Sequence, residues 1–359
     1  MKALHMKQQM VMALSITVLL ATAGCDFQMG NWSQARFERT ITTQRPLAAG
    51  STLDVETSAG SIAISGADVT DCDIVATVIA QAPTEEEAQE LAEQVTIEAE
   101  PVGRTLKVRA DKPRTGNNRS ISVSYRIVVP RQTSIECVSS YGSLELADIE
   151  GTISGRTSSG SVRAENIRGS VDLTSSYGSV TCERFAEGDL ILKTSSGKIA
   201  IADAAFGKCD AVTSYGPVTA QSLRGESIHL HSSSGSIELV DAEAGTMDLT
   251  TSYGRVDARQ TTVSDLRASS SSGSLEIVCN EACPPNLAAN VKSSYGSVTF
   301  TAPPAFAGRV RLATDYGSVH TDRPITVSGE IGKKKIEGVI GEGQGNLHLE
   351  TSSGSVTLR

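Results

Sequence analysis

The chain has 359 residues, 39% hydrophobic and only 4% aromatic, with a formal net charge of −9 at pH 7. Such a length can bury a large core, and so few aromatics suit thin repeated layers better than a bulky sandwich. The acidic balance argues against nucleic acid and anionic lipid headgroups as ligands.

Met1 to Gly24 reads as a targeting segment. Lys2 and Lys7 make a basic start, Met10 to Ala21 is an apolar run, and Ala21-Thr22-Ala23-Gly24 is a small-residue stretch. The run is too short to span a bilayer and fits the apolar region of a signal peptide, residues 1–24. Cys25 directly after Ala-Gly resembles a bacterial lipoprotein cleavage box, with Thr22 where that family usually places Leu or another aliphatic. The resemblance implies that Cys25 is lipidated and anchors the chain to a membrane. The plainer reading is a secretory signal with Cys25 an unmodified thiol. Removing Lys2 and Lys7 leaves 30 basic against 41 acidic residues, a net charge of −11.

Residues 25–44 are polar and aperiodic and are expected to be a tether. Residues 45–130 are expected to form an N-terminal cap of strands with one helix. Leu53 to Ile64 holds an early turn, Thr57-Ser58-Ala59-Gly60, and Asp73 to Ala80 is β-rich. Thr84-Glu85-Glu86-Glu87 is a capping box. Ala88, Leu91, Ala92 and Val95 follow at helical spacing, which predicts a helix from Glu85 to about Val95. Strands are expected over 95–100, 105–110 and 121–129. An open end of a stacked sheet templates pairing with other chains, so a cap has a physical role there.

From residue 131 onward one turn recurs, Ser-Ser-Gly or Ser-Tyr-Gly. Its glycines are Gly142, Gly160, Gly178, Gly197, Gly216, Gly235, Gly254, Gly273, Gly296, Gly317 and Gly354, most of them 18 or 19 residues apart. A fixed period near 19 marks a stacked repeat. Apolar residues stand seven and five before the glycine (Val171/Leu173, Leu190/Leu192, Ile228/Leu230) and two and four after it (Ile199/Ile201, Ile237/Leu239). Period two on both sides of a turn means two short strands per repeat, each with one buried face. About four buried aliphatic side chains contribute roughly 1.5–3 kcal/mol each, too little to order a lone coil at about 1–2 kcal/mol per residue. The expected fold is therefore all-β, a parallel β-solenoid of about eleven coils. At an inter-strand spacing of ~4.8 Å it makes a rod on the order of 50 Å long.

The residue before the glycine alternates: Tyr141, Ser159, Tyr177, Ser196, Tyr215, Ser234, Tyr253, Ser272, Tyr295. The pattern breaks at Tyr316 and returns to Ser353. Parity places this position on the inward phase, although corner geometry could turn it outward, and the tyrosines are expected to be packing residues. A coil spanning two repeats, stacking Tyr on Tyr, is the alternative. Insertions interrupt the repeat at 279–285 and 322–346, the second expected as a flap over the C-terminal end.

Residues about 50–359 resemble the bacterial putative-adhesin, β-strand-repeat family, related to autotransporter adhesin head domains. The repeated Ser-Ser-Gly-Ser-Val and Ser-Tyr-Gly-Ser-Val turns carry the resemblance, together with Gly343-Gln344-Gly345-Asn346-Leu347-His348-Leu349-Glu350-Thr351-Ser352-Ser353-Gly354. It implies a β-solenoid envelope protein and supplies no catalytic residues.

Cys279 and Cys283 are the disulfide candidate in an oxidising envelope. Cys137, Cys182 and Cys209 fall on the inward phase and read as small core residues; the pairing of Cys72 is left open. The weak metal candidate is outward-facing: His229 and His231 share a strand face, with Asp210 and Asp248 in the flanking coils. A solvated polar face is the plainer reading, and no cofactor is expected. Ser195-Ser196-Gly197-Lys198 is the ordinary corner with Lys in a Ser slot. Glu145, Glu238, Asp257 and Glu276 lie three after their glycines; the last three form an acidic ladder, with Arg255 and Arg267 nearby. The sequence thus reads as a non-catalytic, lipid-anchored envelope protein, adhesin-like or a scaffold, with an envelope protein or glycan as partner. The alternative is a glycan-active solenoid enzyme of the polysaccharide lyase or hydrolase kind.

Overall fold

The computed structural model describes residues 34–327 and 332–359. Twenty-seven strands among them belong to one hydrogen-bonded sheet. The alternation around each glycine produces parallel pairing in the register the repeat requires. Leu173, Leu192, Ala211, Leu230 and Leu249 occupy successive rungs of one inner column, each fully buried. One repeat is therefore one coil, not half of one. Burying such a side chain contributes roughly 1.5–3 kcal/mol, and each does so only because its neighbours above and below cover it.

The second corner of each coil is tighter than a loop. Asp148, Asn166, Arg184, Asp203, Ser222, Asp241 and Gln260, each six residues after a corner glycine, have φ between 52° and 59°. A single left-handed residue turns the chain while the ladder runs on. From Ile199–Thr213 through Val256–Ser270, the two strands expected on either side merge into continuous fifteen-residue strands.

The stack begins earlier than residue 131. Strands β1 (Ala35–Pro46), β2 (Thr52–Ala59), β3 (Ile62–Ala67) and β4 (Asp71–Ala82) precede helix α1 (Glu85–Glu93). Then come β5 (Thr96–Val102), β6 (Thr105–Asp111), β7 (Ser120–Pro130), β8 (Ser134–Tyr141) and β9 (Leu144–Glu150). The Gly60 turn makes β2 and β3 the first coil, parallel to β8 and β9. On its other side β6 and β7 still run parallel, and β5, β4 and β1 then add in antiparallel order. The change of direction ends the solenoid. Thr84 caps α1 by accepting from the Glu87 N–H at 3.3 Å.

Residues 35–44, expected within the tether, instead form most of β1. Only Phe37 and Ile41 mark its inner face among polar neighbours, so the alternation is faint. Arg39 on this strand donates to the Ala92 and Glu93 carbonyls, both at 3.2 Å, satisfying the open C-terminus of α1.

At the other end the chain order and the spatial order differ. The Tyr295 coil (Ala288–Ser293, Val298–Thr301) does not stack on the Tyr316 coil (Gly308–Tyr316, Val319–Thr321). The Ser353 coil (Gly345–Ser353, Val356–Leu358) is inserted between them, parallel to both. Within the 322–346 insertion, Lys335–Ile340 runs antiparallel along Gly308–Tyr316 and covers that outer edge.

Candidate functional site

The repeating corner separates two tasks between adjacent residues. Three before each glycine stands a buried Thr or Ser whose hydroxyl donates to the glycine carbonyl of the adjacent coil, and from Thr157 to Ser270 it also accepts from its own coil's glycine N–H. Ser175 does this to Gly160 O at 2.8 Å and Gly178 N at 2.9 Å; Thr213 does it to Gly197 O at 3.1 Å and Gly216 N at 3.3 Å. These hydroxyls are structural, each tying its corner to the neighbouring one. Except at Gly354, where φ is also +152°, the glycine is required by space rather than by φ. A Cβ on Gly197 would sit 2.0 Å from the Gly178 carbonyl oxygen, and one on Gly216 would sit 1.9 Å from that of Gly197.

The residue before the glycine does the opposite. Tyr141, Tyr177, Tyr215, Tyr253, Tyr295 and Tyr316 are 69–77% exposed. The inward expectation is overturned: the corner backbone breaks the strand alternation and turns this position to solvent. Backbone bonds tie each corner to the one before, such as Tyr177 N to Ser158 O at 3.0 Å and Tyr215 N to Ser195 O at 3.0 Å, so the tyrosines form one row. The strand insertion removes the apparent break. Ser353 N donates to Ser294 O at 2.8 Å and Gly354 N to Tyr316 O at 3.1 Å, which places Ser353 between Tyr295 and Tyr316. In space the alternation of Tyr and Ser is unbroken from Tyr141 to Tyr316. Lys334 lies over the last ring, 5.5 Å from its centroid.

The polar faces are occupied by ion pairs. Glu238, Asp257 and Glu276 do stack on successive rungs, but Arg255 bridges Asp257 and Glu276 while Arg259 holds Asp257 at 2.8 Å. Glu165 is held below the usual carboxylate range by hydrogen bonds from Arg184 and Arg163. A shallow depression of about 240 Å³ has Glu183 and Glu238 on its rim. Those carboxylates are three rungs apart, about 14 Å at the strand spacing, wider than the ~5–9.5 Å that glycoside hydrolysis uses.

His229 Nδ1 meets Asp210 Oδ1 at 2.7 Å, and the His229 and His231 rings stack with centroids 6.3 Å apart. Asp248 instead accepts from the Thr250 hydroxyl at 2.7 Å. Among the described residues, no three His, Cys, Asp or Glu side chains are arranged to hold a metal ion. Cys25 lies outside the described residues.

The family description Toastrack DUF4097 matches residues 51–359. The chain belongs to that family. The match takes in the first coil at β2 and runs through the inserted Ser353 coil. A putative cell adhesion protein from Clostridium sporogenes is 11% identical, covering 91% of this chain and 99% of its own at a TM-score of 0.19. A putative lipid binding protein from Parabacteroides distasonis is 13% identical, covering 89% and 96% at 0.35. A putative adhesin from Bacteroides fragilis is 15% identical, covering 89% and 97% at 0.26. Comparison with curated proteins gives no match.

The cysteines of this Toastrack chain divide by surroundings. Cys72, Cys137, Cys182 and Cys209 are buried thiols in the core, and burial pushes Cys137 up to about 12. Cys279 and Cys283 are buried side by side in their loop, unbridged, with Cys283 donating to the Thr261 carbonyl at 3.1 Å. The hydrogen bond with Cys279 brings Cys283 down from the ordinary thiol value, against the upward push of burial.

Proposed function

We propose that this Toastrack protein is a non-catalytic, lipid-anchored protein of the bacterial envelope that presents its solenoid as an adhesin-like binding surface. The observation that carries the reading is the solvent-facing tyrosine row. An aromatic residue placed outward at six corners has no packing task, and tyrosine is enriched at interaction surfaces. The anchoring part rests on the Met1–Gly24 segment and Cys25. Two or more acyl chains at that cysteine give stable attachment, where one gives only a reversible hold. The non-catalytic part is supported by the acidic ladder, in which Asp257 and Glu276 are engaged by Arg255 and Arg259 rather than poised beside a nucleophile.

The test is metabolic labelling with an alkyne fatty acid followed by fractionation. The wild-type chain takes label and partitions with membranes. Cys25→Ala loses the label and leaves the membrane fraction. Retention of label by Cys25→Ala overturns the anchoring assignment.

A further inference from the structure

The tyrosine row has a pitch, and the pitch restricts what it fits. Consecutive rings in the row are two coils apart, about 9.6 Å at the strand spacing. Between each pair stands a serine, exposed at Ser159, Ser196, Ser234 and Ser272. Each ring therefore has no aromatic neighbour on the adjacent rungs, and the last, Tyr316, lies under Lys334. Repeat duplication along the chain does not account for this arrangement. In chain order Tyr316 follows Tyr295, yet the inserted Ser353 coil restores the alternation in space. The regularity belongs to the surface rather than to the gene order.

The chemistry of the edge narrows the occupant further. The residues beside the row are mostly serine; the charged sequence neighbours of the Tyr-Gly or Ser-Gly pair at the eleven corners from Tyr141 to Tyr316 are Lys198, Arg255 and Asp315, and Lys334 lies over Tyr316. A near-neutral strip of hydroxyls and aromatic rings on an acidic protein does not suit a polyanion. Nor is it a continuous apolar patch of the kind that enters a membrane, because hydroxyls interrupt it at every second rung. What matches both features is a pyranose chain. The axial C–H face of a sugar is apolar and electropositive and stacks on the electron-rich face of a phenol ring. Its equatorial hydroxyls meet serines at the rim. An extended β-1,4-linked chain repeats by one disaccharide in close to the two-coil distance, so alternate sugars meet rings in register.

We infer that the tyrosine row is a track for an extended, uncharged β-1,4-linked glycan, read at one disaccharide per two coils. The inference rests on the reading of the solenoid as an envelope binding surface and names its ligand class. Many weak stacking contacts along a single chain add through their effective concentration.

Isothermal titration of the purified protein with chitohexaose, cellohexaose and the α-1,4-linked maltohexaose tests it. At least one β-1,4 hexamer binds and maltohexaose does not. Tyr215→Ser weakens binding about two- to tenfold, the worth of one aromatic contact. The triple variant Tyr177→Ser/Tyr215→Ser/Tyr253→Ser weakens it by more than about tenfold. These substitutions install the residue that neighbouring corners already carry, and an unchanged melting temperature verifies that the stack is intact. Co-sedimentation with insoluble cellulose and with insoluble chitin reads the same preference on intact polymers.

Absence of binding to both β-1,4 hexamers, equal binding of maltohexaose, or undiminished binding by the triple variant overturns the inference. So does light scattering in which a wild-type dimer becomes a monomer in the triple variant, because a second copy would then cover the row. The envelope reading fails separately: it is overturned if the wild-type chain takes no acyl label, whatever the sugars do.

Discussion

Two columns of residues, adjacent in sequence, run the length of the stack and obey different rules. The glycine column is constant because each Cα rests on the carbonyl of the coil before it, as Gly273 does on Gly254. The column one residue earlier faces solvent, where backbone geometry does not prescribe tyrosine at every second rung. Constancy in the first reports construction. Alternation in the second reports a surface built to a pitch. The same corner thus shows that the most repetitive residue in a solenoid need not be the one that faces solvent.

Substitutions can break that distinction, and their effects should fall in steps. Gly216→Ala has the largest expected effect, a loss of more than about 4 kcal/mol, the exceptional range for a point change, because backbone would have to move in two coils. Urea unfolding measures it. Leu192→Ala leaves a cavity in the inner column and costs about 2–5 kcal/mol in the same assay. Thr213→Val keeps the shape but strands the Gly197 carbonyl and the Gly216 N–H, at about 1–3 kcal/mol. Tyr215→Ser should change stability by no more than about 0.5 kcal/mol; a larger loss would return the tyrosines to a packing role.

A smaller effect concerns the Cys279–Cys283 loop, which we propose forms a disulfide in an oxidising envelope. The thiolate is the attacking form, and the contact with Cys279 lowers Cys283 below an ordinary thiol. Exchange of the purified thiol protein with oxidised glutathione should therefore quicken as pH rises from 6 to 8. Mass spectrometry follows the loss of two hydrogens, and Cys279→Ser abolishes the internal bridge.

Much of the architecture could be read from spacing alone. The period, the inner pairs such as Leu190/Leu192 and the corner hydroxyls follow from position relative to glycine, since a parallel stack repeats the same environment at each rung. The direction of the tyrosines could not be read that way. Parity counts hold along a strand, and Ser175-Ser176-Tyr177-Gly178 is a corner, where the count no longer applies. The second corner left a fainter trace. Asp148, Asn166, Asp203 and Asp241 are residues that tolerate a left-handed backbone, but Arg184 and Gln260 in the same column hide the pattern. The place of Ser353 was also concealed, because the 322–346 insertion carries the chain past one rung and back.

That return has a consequence for how the molecule comes to be assembled. Most rungs can be laid down in the order in which they are synthesised, each settling on a finished predecessor. The rung holding Tyr316 has no such platform until residues 345–358 slide in beneath it, so it waits, held only by its own hairpin. The far end of the rod therefore closes like a zip whose last tooth must enter between two others, and removal of 345–359 should leave a shortened rod with a frayed, protease-sensitive tip.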